Sequence, residues 1–132
     1  MKIGCTFSLM VFLALGALFA AAVPAQEISV AEAVIAQEVV DRTPLGAGDV
    51  ISAGIERVYC FTRIEGAREE TEITHNWYYK GALKASVALP VRSRSWRTWS
   101  SKTLLPEWTG EWMVEVLSKD GTPLESLIFF VQ

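Results

Sequence analysis

The chain has 132 residues with 12 basic and 15 acidic side chains, a formal charge of −3 at pH 7. This mild acidic balance argues against nonspecific nucleic-acid binding, and a chain of this length holds one small domain rather than two. One histidine and two cysteines leave too few residues for a histidine-rich metal site or a disulfide framework, so no metal and no cofactor is expected.

Residues 1–25 read as a secretory signal peptide. Lys2 is the only charge, an apolar run covers 7–23, and Val23-Pro24-Ala25 offers small residues for cleavage. The competing reading is an N-terminal membrane anchor, because the uncharged run over 3–25 reaches the roughly 20 residues that span a bilayer. Cys5 precedes the apolar run and is not placed for lipid attachment. The expected organisation is a signal peptide over 1–25, a lead-in over 26–33 and one domain over 34–132, exported to the periplasm or outside the cell and free of the membrane after cleavage. Without Lys2 the charge becomes about −4, and Cys60 is left with no disulfide partner.

Along the domain, 30–40 is open between helix and strand, since Ala, Glu and Gln favour the first and Val34-Ile35 and Val39-Val40 the second. The Pro- and Gly-punctuated stretch 41–54 reads as a connection. VYCFTRI (58–64) is a β-branched and aromatic strand, and the following EGAREE predicts a hairpin turn into TEITHNWYY (71–79). That strand sets Ile73, His75, Trp77 and Tyr79 on one face. Lys80-Gly81 turns the chain into ALKASVALP (82–90), whose alternation points Leu83, Ala85, Val87 and Leu89 inward.

RSWRTWSSK (94–102) comes next, with Arg94, Trp96 and Thr98 on one face and Ser95, Arg97 and Trp99 on the other. GEWMVEVL (110–117) puts Trp112, Val114 and Val116 inward, and Asp120-Gly121 is a hairpin signal. The closing apolar LIFFV predicts a strand buried on both faces. Six or seven short strands in about 100 residues predict an all-β domain, a small antiparallel β-sandwich of immunoglobulin-like kind, with a small β-barrel as the alternative. The expected core is Trp77, Trp96, Trp112, Val114 and Val87.

The succession VYCFTRIEG, THNWYYKG, SRSWRTWSSK, GEWMVEVLSKDG and LIFFV resembles the bacterial family catalogued as domain of unknown function 2914, over about 34–131. Its most specific pieces are His75-x-Trp77-Tyr78 and Trp96-Arg97-Thr98-Trp99-Ser100. The resemblance implies a compact β-rich extracytoplasmic or membrane-associated module and brings no established activity.

Chemistry is concentrated in RSWRTWSSK. Trp99 can stack on a sugar ring while Arg94, Arg97 and Lys102 donate to hydroxyls or carboxylates. Alternation keeps the two rings off one flat platform, so Trp96 is expected in the core and Trp99 at the surface beside Arg97. A Cys60–His75 dyad is conceivable across strands, but a strand cysteine beside Val58 and Thr62 is ordinarily an inert buried group. Glu65, Glu69, Glu70 and Glu72 could pair as glycosidase carboxylates, yet they sit in and beside a turn. No catalytic residue is assigned. The expectation is a non-catalytic binding or interaction module of the bacterial cell envelope, contacting an envelope protein or glycan and no nucleic acid. The alternative is a structural accessory domain pairing through a sheet edge, with a hydrolase a distant third.

Overall fold

The computed structural model describes residues 27–132, with Gly4 and Gly16 as isolated positions. The signal peptide read over 1–25 otherwise lies outside the described residues. Ten strands and no helix are found among them: β1 (Ser29–Ala36), β2 (Glu38–Val40), β3 (Thr43–Leu45), β4 (Val50–Ile51), β5 (Arg57–Glu65), β6 (Thr71–Tyr79), β7 (Ala82–Val91), β8 (Ser95–Thr103), β9 (Gly110–Ser118) and β10 (Pro123–Val131). The domain is all-β. Three sheets form, in the orders β1-β5-β8, β4-β10-β9-β6-β7 and β2-β3. All pairs are antiparallel except β4 with β10. Both larger sheets end in strands with one neighbour, so no barrel closes and the barrel alternative is set aside. No described helix is long and apolar enough to cross a membrane.

The two larger sheets pack through a shared core in two apolar clusters. One joins Ile35, Val58 and Cys60 of the three-stranded sheet to Trp77, Trp112, Val114, Phe129 and Val131 of the five-stranded sheet. The other gathers Ile64, Ala67, Ile73, Val91 and Val116. Between them on the same inner faces lie the buried polar residues Thr62, His75, Thr98 and Ser100. A polar seam thus divides an apolar interior. Trp77 sits edge-on to Phe129 at 6.2 Å and Trp112 stacks on Phe129 at 6.0 Å, contacts that add to the area these rings bury.

Several expectations are corrected. The open segment 30–40 is strand, and the boundary read at Val34 falls inside β1, whose pairing with β5 begins at Ser29. The stretch 41–54 holds two short strands, β3 and β4, which bring the count to ten. EGAREE makes no hairpin, because β5 and β6 lie in different sheets and the chain crosses between them. Gly66 makes that crossing at φ +94, where a Cβ would stand 2.7 Å from the Glu27 carbonyl oxygen. Ala67, buried against the second cluster, anchors the crossing.

Leu83 points outward. The β6–β7 ladder shifts register between Trp77 and Tyr78, so Leu83 pairs with outward-facing Tyr78. One extra residue in a strand reverses its faces. Val87 lies on the inner face but is only partly buried, because β7 is an edge strand. β10 is buried on one face alone. Ile128 and Phe130 are 50% and 45% exposed, and pairing aligns Ile128, Met113, Tyr78 and Leu83 in one row across the outer face.

Trp77→Ala should lower the unfolding free energy by about 3–5 kcal/mol, the range for truncating a buried large aromatic, and should also strand the hydroxyl that its indole meets. Val87→Ala should cost well under half as much. Urea unfolding of both variants checks the order.

Candidate functional site

β7 ends the five-stranded sheet and β8 ends the three-stranded one, and the short turn 92–94 joins them. Two strands with unpaired edges therefore meet on one side of the domain. A shallow depression of about 280 Å³ opens there, lined by Arg42, Pro90, Arg92, Trp96, Arg97, Thr98 and Trp99. Trp96 and Trp99 point to opposite faces of β8, as alternation requires, yet both line the depression. The free edge lets a ring reach it from either side of the strand.

Neither ring is free. Trp96 is partly buried against the second core cluster, and Trp99 stacks on Phe61 at 6.4 Å with planes 18° apart. Phe61 is on the outer face of β5 but only 1% exposed, so Trp99 helps to roof it. Trp96 is thus a rim residue rather than the core residue expected, and Trp99 is half structural. An edge strand cannot enclose an indole from both sides.

The third arginine comes from the β2–β3 hairpin. Its two turn residues, Asp41 and Arg42, have φ of +50 and +59, the backbone of a type I′ turn whose favoured second residue is glycine. The β6–β7 turn has the same backbone at Lys80 and Gly81, with φ of +45 and +82, and has the glycine. An arginine in this left-handed conformation costs on the order of 1 kcal/mol. It lines the depression, and its carbonyl accepts a 3.4 Å hydrogen bond from Arg97 Nη1. Arg92 Nε lies 3.8 Å from Glu70 in an exposed pair, too solvated to hold the guanidinium away from a ligand.

At the other end of the same open side stands Trp108. The Lys84 ammonium from β7 lies 5.5 Å from its ring centroid and that of Lys102 from β8 lies 5.3 Å away. Tyr79 and Trp112 pack against the ring at 6.1 and 5.6 Å, and the Trp108 carbonyl accepts from Trp112 Nε1 at 3.1 Å. Lys102, grouped by sequence with Arg97 and Trp99, belongs here instead. Arg94 sits in the 92–94 turn before β8 begins, exposed and outside the face alternation assigned to it. Arg42, Arg92, Lys84 and Trp108 were not singled out from the sequence. The Asp41-Arg42 pair, where Asp-Gly is the common turn, was the one readable signal.

The polar seam has a single consistent proton arrangement. Thr62 Oγ1 donates to the Thr98 carbonyl at 3.0 Å, so it can only accept from His75 Nε2 at 3.3 Å. Nδ1 is then the bare nitrogen and accepts from the Ser100 hydroxyl at 2.7 Å, while Ser100 Oγ accepts from Trp77 Nε1 at 3.0 Å. Every donor in this run points the same way, from the Trp77 indole to the Thr98 carbonyl, and the imidazole is neutral. Burial pushes the His75 pKa down from 6.5 to about 4. Ser100 and His75 resemble a nucleophile and its base, but both are buried and no carboxylate takes the second imidazole nitrogen.

Cys60 is fully buried, burial pushes its thiol up to about 12, and His75 bonds Thr62 and Ser100 rather than Cys60. Three of the four carboxylates have separate settings. Glu65 is held by Arg63 at 2.6 Å and Ser95 at 2.7 Å, Glu70 faces Arg92, and Glu72 is on the outer face of β6. Among the described residues no group of three His, Cys, Asp or Glu could hold a metal. A second cavity of about 330 Å³ beside Ile55, Leu104 and Pro106 has Glu56 as its only ionisable lining residue.

Fold and surface together define an all-β domain with a basic and aromatic open edge. Residues 70–131, β6 to the end of β10, match the family model described as Protein of unknown function (DUF2914). That is the family the sequence resembles, and the matched segment contains both of its most specific pieces. It leaves out VYCFTRIEG and the Asp41-Arg42 turn, so it is shorter than the 34–131 expected. No curated protein matches the chain. Among solved structures, a β-glucosidase from Kluyveromyces marxianus is similar at a TM-score of 0.45 and 11% identity over 80% of this chain and 14% of its own. A mutant β-glucosidase from Listeria innocua in complex with laminaribiose gives 0.42 and 11% over 80% and 16%. The chain thus spans under a fifth of either enzyme.

Two outcomes follow. Between pH 6.5 and about 4 the unfolded histidine takes a proton that folded His75 refuses, so stability present above pH 6.5 is lost as pH falls, by on the order of 3 kcal/mol. Imidazole NMR signals that do not titrate above pH 5, with a melting temperature falling over the same range, check this. Cys60 should react with a thiol reagent only after denaturant is added, and fast labelling of native protein would contradict its burial.

Proposed function

We propose that this protein is a non-catalytic, extracytoplasmic binding module of the bacterial cell envelope that engages its ligand at the depression on the free edge of β8. The observation that carries the reading is Arg42. A residue that strains its own turn lines the depression together with Arg92, Arg97 and two indoles, and such departures from local preference cluster at functional positions. Flat rings and planar guanidinium forks suit a carbohydrate bearing acidic groups. The sealed Ser100–His75 pair supports a role without catalysis. Export rests on the N-terminal sequence. In the same reading the two packed sheets form an immunoglobulin-like β-sandwich, with Trp77 as the ring between its layers.

The alternative, a structural accessory domain pairing with another envelope protein through a sheet edge, draws support from the outer face next to those edges. There Leu83 on β7, at one edge of the five-stranded sheet, and Ile128, Phe130 and Val50, toward the β4 edge opposite it, are all close to half exposed.

The deciding variant is Arg42→Gly, which relieves the left-handed strain while removing the cation. Its melting temperature should equal or exceed that of wild type. Its affinity for soluble peptidoglycan fragments or acidic wall polysaccharide, read by protection of tryptophan fluorescence from iodide, should fall about tenfold. Wild-type binding to none of these polymers, or equal binding by Arg42→Gly, would overturn the reading.

A further inference from the structure

The two ends of the open edge carry the same chemistry. At one, Arg42, Arg92 and Arg97 surround Trp96 and Trp99; at the other, Lys84 and Lys102 approach Trp108. With exposed Arg94 in the turn between β7 and β8, half of the chain's 12 basic side chains lie along this side of a net-negative protein. The cations are therefore a local strip rather than a general charge. From Trp96 to Lys102 is six residues of extended strand, about 20 Å at 3.3 Å per residue, farther than one sugar ring reaches. Both strands that carry the strip have unpaired edges, so no neighbouring strand interrupts it. Opposing charges beside the strip are Glu70 on Arg92 and Glu65 on Ser95 of β8, with Asp41 and Glu107 adjacent in sequence to Arg42 and Trp108.

We propose that the two stations form one continuous site for a linear acidic polysaccharide, with sugar rings against Trp96, Trp99 and Trp108 and carboxylates or phosphates on the intervening cations. This deepens the binding reading above and rests on it. Indole faces take the apolar C–H side of pyranose rings, and charges spaced along a strand match charges spaced along a polymer. Two weak contacts joined by one chain act at a high effective concentration, so affinity grows with ligand length until both stations are filled.

The test is titration of the full exported domain with oligogalacturonates of increasing length, with neutral cello-oligosaccharides and an oligothymidylate as comparators. Affinity should rise at least tenfold from the dimer to oligomers long enough to reach both stations and should weaken with salt. Lys84→Gln/Lys102→Gln should remove most of that gain while leaving the fold intact by circular dichroism. Length-independent binding of the uronate series would overturn the continuous site yet leave the Arg42 depression standing. Equal affinity for the neutral series, or for oligothymidylate, would overturn the acidic-polysaccharide assignment. Absence of binding by oligogalacturonates while peptidoglycan fragments bind would overturn this inference alone, and absence of binding by either would overturn both readings.

Discussion

The hydrogen-bonded run from the Trp77 indole through Ser100, His75 and Thr62 to the Thr98 carbonyl is the constraint on which the open edge depends. β8 has a neighbour on one side only. What fixes its position over the five-stranded sheet is the insertion of Ser100 and Thr98 between two apolar clusters, where Ser100 meets both His75 and Trp77 of β6. A buried polar group without partners costs about 1–3 kcal/mol, so any sliding of β8 by one residue would break several bonds at once and turn Thr98 and Ser100 outward. Apolar packing holds the sheets together; the polar seam selects their register. The neutral imidazole is part of that selection, since a proton on Nδ1 would take away the acceptor of the Ser100 hydroxyl hydrogen.

With β8 fixed, the surface follows. Its outward residues bring Arg97 and Trp99 to the rim, and Trp99 settles on Phe61. The β2–β3 hairpin comes close enough for Arg97 to bond the Arg42 carbonyl. The strain in the Asp41-Arg42 turn is small against the stability of the whole domain, and it is carried by a two-residue hairpin that contributes little to the core. The same turn geometry with glycine at β6–β7 joins two long strands, where strain would act on the main sheet. The chain thus carries its unfavourable turn on a short hairpin that stands beside the open edge.

Period-two alternation made much of this legible. It gave the inward faces of β6, β8 and β9, hence Trp77, Trp112 and Val114, and the opposition of Trp96 and Trp99. It could not say which sheet a strand joins, which is why EGAREE read as a hairpin although the chain crosses sheets there. Alternation is also blind to a one-residue bulge, and Leu83 was misplaced for that reason. The continuous apolar run in β10 does not distinguish a doubly buried strand from one with an apolar outer face. The site was half visible. Arg97 and Trp99 stand together in one short segment, whereas Arg42, Lys84 and Trp108 reach the edge from other elements, and Lys102 joins a ring that local spacing did not connect to it. The Ser100–His75 contact spans two sheets and has no local signature.

Under the proposed function the open edge, set by the polar seam, is the ligand surface and the interior is not. All five tryptophans in the chain carry an indole N–H, and three lie along the edge while Trp77 and Trp112 are fully buried. A ¹⁵N-resolved spectrum of these five indole resonances during addition of an acidic polysaccharide reads edge and interior together. Trp96, Trp99 and Trp108 should shift while Trp77 and Trp112 stay in place. Unmoved edge resonances under saturating ligand, or shifts confined to Trp77 and Trp112, would contradict it.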